Sequence, residues 1–308
     1  MVQPRLRARP VTAAVALPFR VGARTLWRVR LRLARVAVSL EQAQAGTVPR
    51  LPALGSESDG YLITSLPEER LPDVRAAHPE LRPFVRQLYR RNFASLEGSF
   101  DDYLAGFSAK SRSTLKRKVR KFGETLDVRA WPSSGDVGEF HRLARSVSAK
   151  TYQEKLLGAG LPDGPEALAR MRELAARDAM RGWILFLEGK PVSYLYAPAE
   201  GPTLIYSHLG YDPDFADLSP GTVLQYEAMR QLFAEGRFAL FDFTEGEGQH
   251  KRQFGTGAAD CVDLLLVRPA LRTLAAAYAL DRFDAAVALA KRAVKGGPLE
   301  KLAARLRR

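Results

Sequence analysis

The sequence predicts a mixed α/β protein, a sheet flanked by helices and arranged in two lobes, and three observations carry that expectation. Apolar residues change period along the chain, from alternation near 26–38 to helical spacing over 137–181 and back to strands over 183–211. The stretch 183–267 reads strand–strand–strand–helix–strand–loop–strand, the pattern of a mixed sheet with helices packed on it. Its 308 residues, 46% hydrophobic and 26% charged, are long for one ordinary domain and sufficient for a buried core.

The elements follow in order. Arg5, Arg7 and Arg9 precede the apolar run 11–19, which mimics a secretion signal, but Pro18, Phe19 and Arg20 give no small-residue cleavage site, so the segment is expected in the mature protein. In LWRVRLRLARVAV, Trp27, Val29, Leu31 and Leu33 alternate with arginines, the period of a strand with one buried and one charged face. The Gly-, Pro- and Ser-rich 45–58 reads as a loop, YLITSL at 61–66 as a strand and 79–91 as a helix, with Ser99 capping the next helix. SAKSRSTLKRKVRKF at 108–122 holds seven cations in the twelve residues 110–121 and no acid. Leu115, Val119 and Phe122 give it a narrow apolar stripe, so it reads as a basic amphipathic helix. GAGLPDGP at 158–165 interrupts the following helices as a loop fit to be a lid. WILFLEGKPVSYLYAPAEGPTLIYSHLGY gives three strands joined by the turns EGKP and AEGP. A helix at 219–236 has Ser219 as its cap, Pro220 at its first position and Gly236 just past its end. Strands at 237–243 and 261–267 and a helical tail over 270–308 complete the chain.

Charge is uneven. Residues 1–40 carry nine arginines and no acid, and 268–308 carry ten basic against three acidic side chains, within a net charge of +13. Basic ends suit a polyanion such as anionic headgroups, nucleic acid or a phosphorylated ligand. The single Cys261 excludes an internal disulfide and fits a reducing compartment; within CVDLLLV it reads as a core residue. His78, His141 and His250 have no metal-ligand spacing with any acid or with Cys261, and no metal or permanently bound cofactor is expected. No run approaches the length of a membrane span.

The basic helix, the helix SPGTVLQYEAMRQL and the run LFDFTEGEGQHKRQFG occur in an order that resembles the Fem-like and cellulose-biosynthesis-protein-like branch of the GNAT acyltransferase superfamily, over about residues 95–267. The resemblance implies a GNAT-like sheet with a degenerate N-terminal half. Its domains would be a basic segment 1–60, a degenerate lobe 61–150 carrying the basic helix, a catalytic lobe 151–267 and a basic tail 268–308. It also implies functional roles for Asp242, Lys251 and Phe254. The phosphate-binding loop usual in GNAT enzymes has two glycines, whereas LSPGT here has one.

A helix that starts just after a strand offers backbone N–H donors and a positive dipole end, so Ser219, Gly221 and Thr222 are the expected binding residues for a pyrophosphate. Acyl transfer to an amine needs a base, a polarised carbonyl and a protonated leaving thiolate. The candidates are His208, Asp242 and Glu245 for the base, with Lys251 as partner of Asp242, and Tyr206 or Tyr211 for the thiolate. The expected function is N-acyl transfer from acyl-CoA or an acyl carrier protein to an amine, either a lipid amine such as a sphingoid base or an amino sugar of the cell envelope. The setting would be cytoplasmic, peripheral on the inner face of the membrane through the basic termini. Alternatives are a Fem-type transferase using aminoacyl-tRNA and a non-catalytic nucleic-acid module. The second lacks aromatics interleaved with its cations.

Overall fold

The structure is a computed structural model and describes residues 12–21, 24–151, 154, 160–245 and 249–294. The chain divides into two units, one of residues 1–89 with 259–308 and the other of 90–258. The basic segment 108–122 therefore shares a unit with 151–258, where a boundary near residue 150 was expected.

In the first unit, β1 (Thr12–Val21) pairs antiparallel with β2 (Arg24–Ala37), the strand predicted from the alternating arginines. Helix α1 (Leu40–Gln44) is closed by a capping box in which Ser39 accepts from the Gln42 amide. The predicted loop contains no regular element, and β3 (Gly60–Pro67) then runs parallel to β2. Helix α2 (Leu71–Ala77) follows. The helix expected at 79–91 is instead β4 (Arg82–Ser95). Leu81, Phe84, Val85 and Leu88 recur at helical spacing, but Leu88 is 59% exposed, and Pro83 sits beside the strand's start, where a missing N–H costs least.

The second unit holds residues 90–95 of β4 and continues with α3 (Phe100–Ala105), capped by Ser99 as predicted. The basic segment forms α4 (Ala109–Arg120), with Leu115 and Phe122 buried beneath it. After β5 (Asp127–Trp131) come α5 (Val137–Ser148) and α6 (Pro165–Ala176). Part of the expected lid, 158–159, lies outside the described residues. The antiparallel strands β6 (Met180–Leu187) and β7 (Lys190–Glu200) turn through Glu188 and Gly189, both at positive φ. The third predicted strand breaks into β8 (Thr203–Ile205) and β9 (His208–Tyr211). Next are α7 (Pro220–Glu235), ended by left-handed Gly236, the short β10 (Leu240–Asp242) and α8 (Gln249–Phe254). The sheet of this unit runs β4–β10–β8–β7–β6–β5, with β9 also on β7. One core lies between α3, α4, α7 and the sheet, around Phe241, Phe243, Leu224 and Met229. A second lies under α5 and α6, around Phe140 and Tyr194.

The chain then returns to the first unit through β11 (Gly257–Val267), antiparallel to β3, and α9 (Leu271–Val294). Cys261 is fully buried, as its apolar run predicts. The rest of the predicted helical tail, 295–308, lies outside the described residues.

Candidate active site

The break between β8 and β9 makes the site. Through Ile205 the strand runs parallel to β10, and the Tyr206 amide still donates to the Asp242 carbonyl at 2.8 Å. Beyond Ser207 the chain leaves β10 and pairs only with β7. A cleft of about 260 Å³ opens there, lined by Tyr206, Leu209 and Tyr211, by Ala216, Ser219, Gly221, Thr222 and Gln225 around the start of α7, and by Phe254 of α8. The three predicted binding residues, both tyrosines and Phe254 are thus brought together.

The start of α7 differs from the predicted cap. Ser219 occupies the cap position in the left-handed region (φ 56°, ψ 48°) and makes no side-chain capping bond. Capping normally needs an extended backbone to aim the hydroxyl at the amides of the first turn. The Thr222 amide instead donates to the Ser219 carbonyl at 3.0 Å, so Thr222 offers the cleft its hydroxyl rather than its N–H. Lys118 of α4 reaches that hydroxyl at 3.4 Å. Burial first, then Arg117 and Lys121, pull the Lys118 pKa down from its ordinary value. None of the seven cations of 110–121 has a carboxylate partner among the described residues. Lys118 also lines a hollow of about 450 Å³ with Lys110, Ser111, Thr114, Arg252 and Gln253. A Cβ at 221 would stand 3.0 Å from Leu209 Cδ2 and 3.4 Å from Tyr211 Cδ1, so any side chain there would press on the cleft wall.

Gln225 was not foreseen. It is 2% exposed, it lines the cleft, and neither its amide nitrogen nor its amide oxygen has a hydrogen-bond partner among the described residues. A buried polar group without a partner costs about 1–3 kcal/mol. Nothing in the sequence marks it, since a glutamine inside a helix is ordinary.

Asp242 is fully buried, but its partner is Arg91 rather than Lys251. The Arg91 Nε lies 3.1 and 3.2 Å from the two carboxylate oxygens and Nη2 lies 2.5 Å from Oδ2, while the Thr244 amide donates to Oδ1 at 2.8 Å. Phe93 is the residue paired with Asp242, so Arg91 is its diagonal neighbour. This pair is 151 residues apart in sequence, which hides it from local pattern. Lys251 donates to the Glu245 carbonyl at 2.5 Å and to the Thr244 hydroxyl at 3.4 Å, and sits 5.9 Å from the centre of the Tyr206 ring. Burial lowers its pKa, against an upward pull from Glu245 and Asp242. Burial also raises the Tyr206 pKa well above its ordinary value, so that hydroxyl keeps its proton. The Glu245 side chain is exposed.

His208 is not brought to this cleft. Alternation along β9 sends Leu209 and Tyr211 to the α7 side and His208 to the other. There it lines a separate cavity with Tyr196, Glu166 and Arg170, stacks on Tyr196 and lies 2.8 Å from the Ser207 hydroxyl. Burial lowers its pKa. No group of three or more His, Cys, Asp or Glu suited to a metal ion occurs among the described residues.

Residues 109–252 match the model of the acetyltransferase (GNAT) domain family. The chain is similar to this family over that stretch, and the strand break, the following helix and the short strand β10 fall in the C-terminal third of the match. Among solved structures, FemX shares the fold at a TM-score of 0.53 with 10% identity, over 83% of this chain and 88% of FemX. The C-terminal domain of a protein described as a lysylphosphatidylglycerol synthetase, from Agrobacterium fabrum, does so at 0.51 with 13% identity, over 72% of this chain and 71% of that one. Both likenesses are of fold, the one the Fem-like resemblance implies. No curated protein sequence matches the chain.

Proposed function

We propose that the protein is an N-acyltransferase that takes its acyl group from a phosphopantetheine thioester, as acyl-CoA or acyl carrier protein, and passes it to the amine of a lipid. The observation that carries this reading is the buried, unpartnered Gln225 amide, roughly one and a half turns into a helix whose start has no side-chain cap. A pantetheine arm carries secondary amides, each offering the N–H and C=O that a side-chain amide complements. At the mouth of the cleft, the positive end of α7, the Thr222 hydroxyl and Lys118 suit the phosphates of such a donor. Lys110 and Arg252 extend the same positive surface.

In the reaction the amine nitrogen attacks the thioester carbonyl carbon, the C–S bond breaks, the amine's proton goes to a base and the thiolate takes a proton. Burial lowers the Lys251 pKa, the direction that makes its amine a better candidate for the base. Tyr206, kept protonated beside it, supplies the hydroxyl for the thiolate. Asp242 acts as a positioning residue. Locked to Arg91, it fixes the Thr244 turn, and Thr244 and the Glu245 carbonyl in turn hold Lys251. His208, across the strand, takes no part in this scheme, and the exposed Glu245 takes part through its backbone.

The acceptor is read as a lipid amine because Arg20, Arg28 and Arg30 of the first unit, exposed and without a carboxylate partner among the described residues, suit an anionic membrane surface. An amino sugar of the envelope is the alternative acceptor. A second reading, an aminoacyl-tRNA donor, draws on the seven cations of 110–121, none of which has a carboxylate partner among the described residues. Thiol release from acyl-CoAs of rising chain length, with sphinganine, an amino sugar or no amine added, tests the proposal. Release that depends on sphinganine is expected. Transfer only from charged tRNA would replace it with the second reading.

A further inference from the structure

The β1–β2 hairpin carries a feature that acyl transfer does not use. Its register sets Ala13 opposite Leu33, Val15 opposite Leu31, Leu17 opposite Val29 and Phe19 opposite Trp27 on one face. The other face carries the rungs Ala14–Arg32, Ala16–Arg30 and Pro18–Arg28. The apolar face is covered by α9 along most of its length. Val15, Leu17, Leu31 and Leu33 are buried with Ala277 and Leu280, and Phe19 meets the Phe283 ring edge-on at 5.2 Å.

Past Phe19 the cover ends. Val21 is 48% exposed, Leu26 63% and Trp27 70%, three large apolar side chains within the tip of the hairpin, beyond the Phe19–Trp27 rung or on it. Around that tip Arg20, Arg28 and Arg30 are exposed and have no carboxylate partner among the described residues, whereas Arg32, further along, pairs with Glu57. Residues 1–40 contain no acid to soften this charge.

From this geometry we infer that the hairpin tip docks end-on to an anionic lipid bilayer, with Val21, Leu26 and Trp27 entering the interface and Arg20, Arg28 and Arg30 at the level of the phosphates. Two properties select a bilayer. Aliphatic Val21 and Leu26 gain from acyl chains and gain nothing from the charged backbone of a nucleic acid, while tryptophan suits the boundary between apolar and polar layers. Three unpaired arginines beside a hydrophobic tip would repel a second copy of the same tip, but they complement acidic headgroups. No helix among the described residues is long and apolar enough to cross a membrane, so the contact is a surface one. The inference deepens the reading of the acceptor as a lipid amine and rests on it only for the purpose the docking serves.

The test is co-sedimentation of the full chain with phosphatidylcholine vesicles, with and without phosphatidylglycerol, and no thioester present. Binding to the anionic vesicles is expected, weakening as salt rises. The double variant Leu26→Ser, Trp27→Ser should lose at least tenfold in partition. The triple variant Arg20→Ser, Arg28→Ser, Arg30→Ser should lose about a hundredfold on anionic vesicles, at about fivefold per arginine. All five positions are exposed, so thermal melts of both variants should match the wild type. No anionic binding, or binding unchanged in the tip variant, would overturn the inference. So would a dimer that the tip variant abolishes, or RNA binding that it abolishes while vesicle binding persists. Acyl transfer to a detergent-solubilised amine should survive in the tip variant, so loss of docking and failure of the acyltransferase reading give different results.

Discussion

Removing Arg91 should cost far more than removing an ordinary surface arginine. Its guanidinium makes a bidentate contact with Asp242, a carboxylate with no solvent exposure whose other donor among the described residues is the Thr244 amide. Arg91→Leu leaves that charge buried with one backbone donor. Breaking a buried pair in this way costs about 3–5 kcal/mol, against about 0–1 for an exposed one. The double variant Arg91→Leu, Asp242→Leu removes both charges together, and its cost should fall short of the sum of the singles by about 2 kcal/mol or more. Urea unfolding followed by Trp131 and Trp183 fluorescence, in a Trp27→Phe background, reads the unit that contains the pair. A loss below about 1 kcal/mol for Arg91→Leu, or additive singles, would show that the pair is solvated and that Asp242 does not anchor the Lys251 turn.

Further outcomes follow from the same contacts. Gln225→Leu removes two unsatisfied buried atoms, so the free protein should gain about 1–3 kcal/mol by urea titration while acyl-CoA binding weakens; unchanged donor affinity would separate Gln225 from the donor. For Lys251 the folded pKa lies below its unfolded value, so the neutral amine increases as pH rises through that lowered pKa. Transfer rate should rise over the same window, and Lys251→Met should abolish the rise. A pH profile left unchanged by Lys251→Met would remove Lys251 as the base. His208 also has a lowered folded pKa, so the unfolded chain takes up its proton first as pH falls through about 6.5. Its contribution to stability is complete above that pH and declines below it. His208→Gln should therefore unfold with less acid sensitivity and transfer acyl groups at the wild-type rate.

Much of the fold is legible wherever a residue's fate depends on its neighbours in sequence. The alternation of Trp27, Val29, Leu31 and Leu33 with arginines places β2, and Gly236 at positive φ ends α7 as its position suggests. Misreadings begin where tertiary context decides. Residues 79–91 satisfy a helical spacing and still form a strand, because their partners in the sheet are distant in sequence. Ser219 has the right chemistry for a cap, but it ends the 3-10 turn Pro213–Leu218 that separates β9 from α7 and is left-handed there. The site divides in the same way. Ser219, Gly221, Thr222, Tyr206, Tyr211 and Phe254 converge on one cleft as the sequence suggests, whereas the alternation of β9 removes His208 to the other face. Arg91 and Gln225 carry no sequence signal. One is 151 residues from its partner, and the other shows itself only through the bonds it lacks.

The measurement that bears most directly on the account is acyl-CoA binding and amine-dependent thiol release in wild type and Gly221→Val. A side chain at 221 must enter the space between Leu209 and Tyr211, where a Cβ alone would already stand 3.0 and 3.4 Å from their carbons. The account predicts binding and release in the wild type and loss of both in the variant, with its melting temperature lowered by no more than a few degrees. Wild-type activity in Gly221→Val would place the thioester elsewhere and contradict the account.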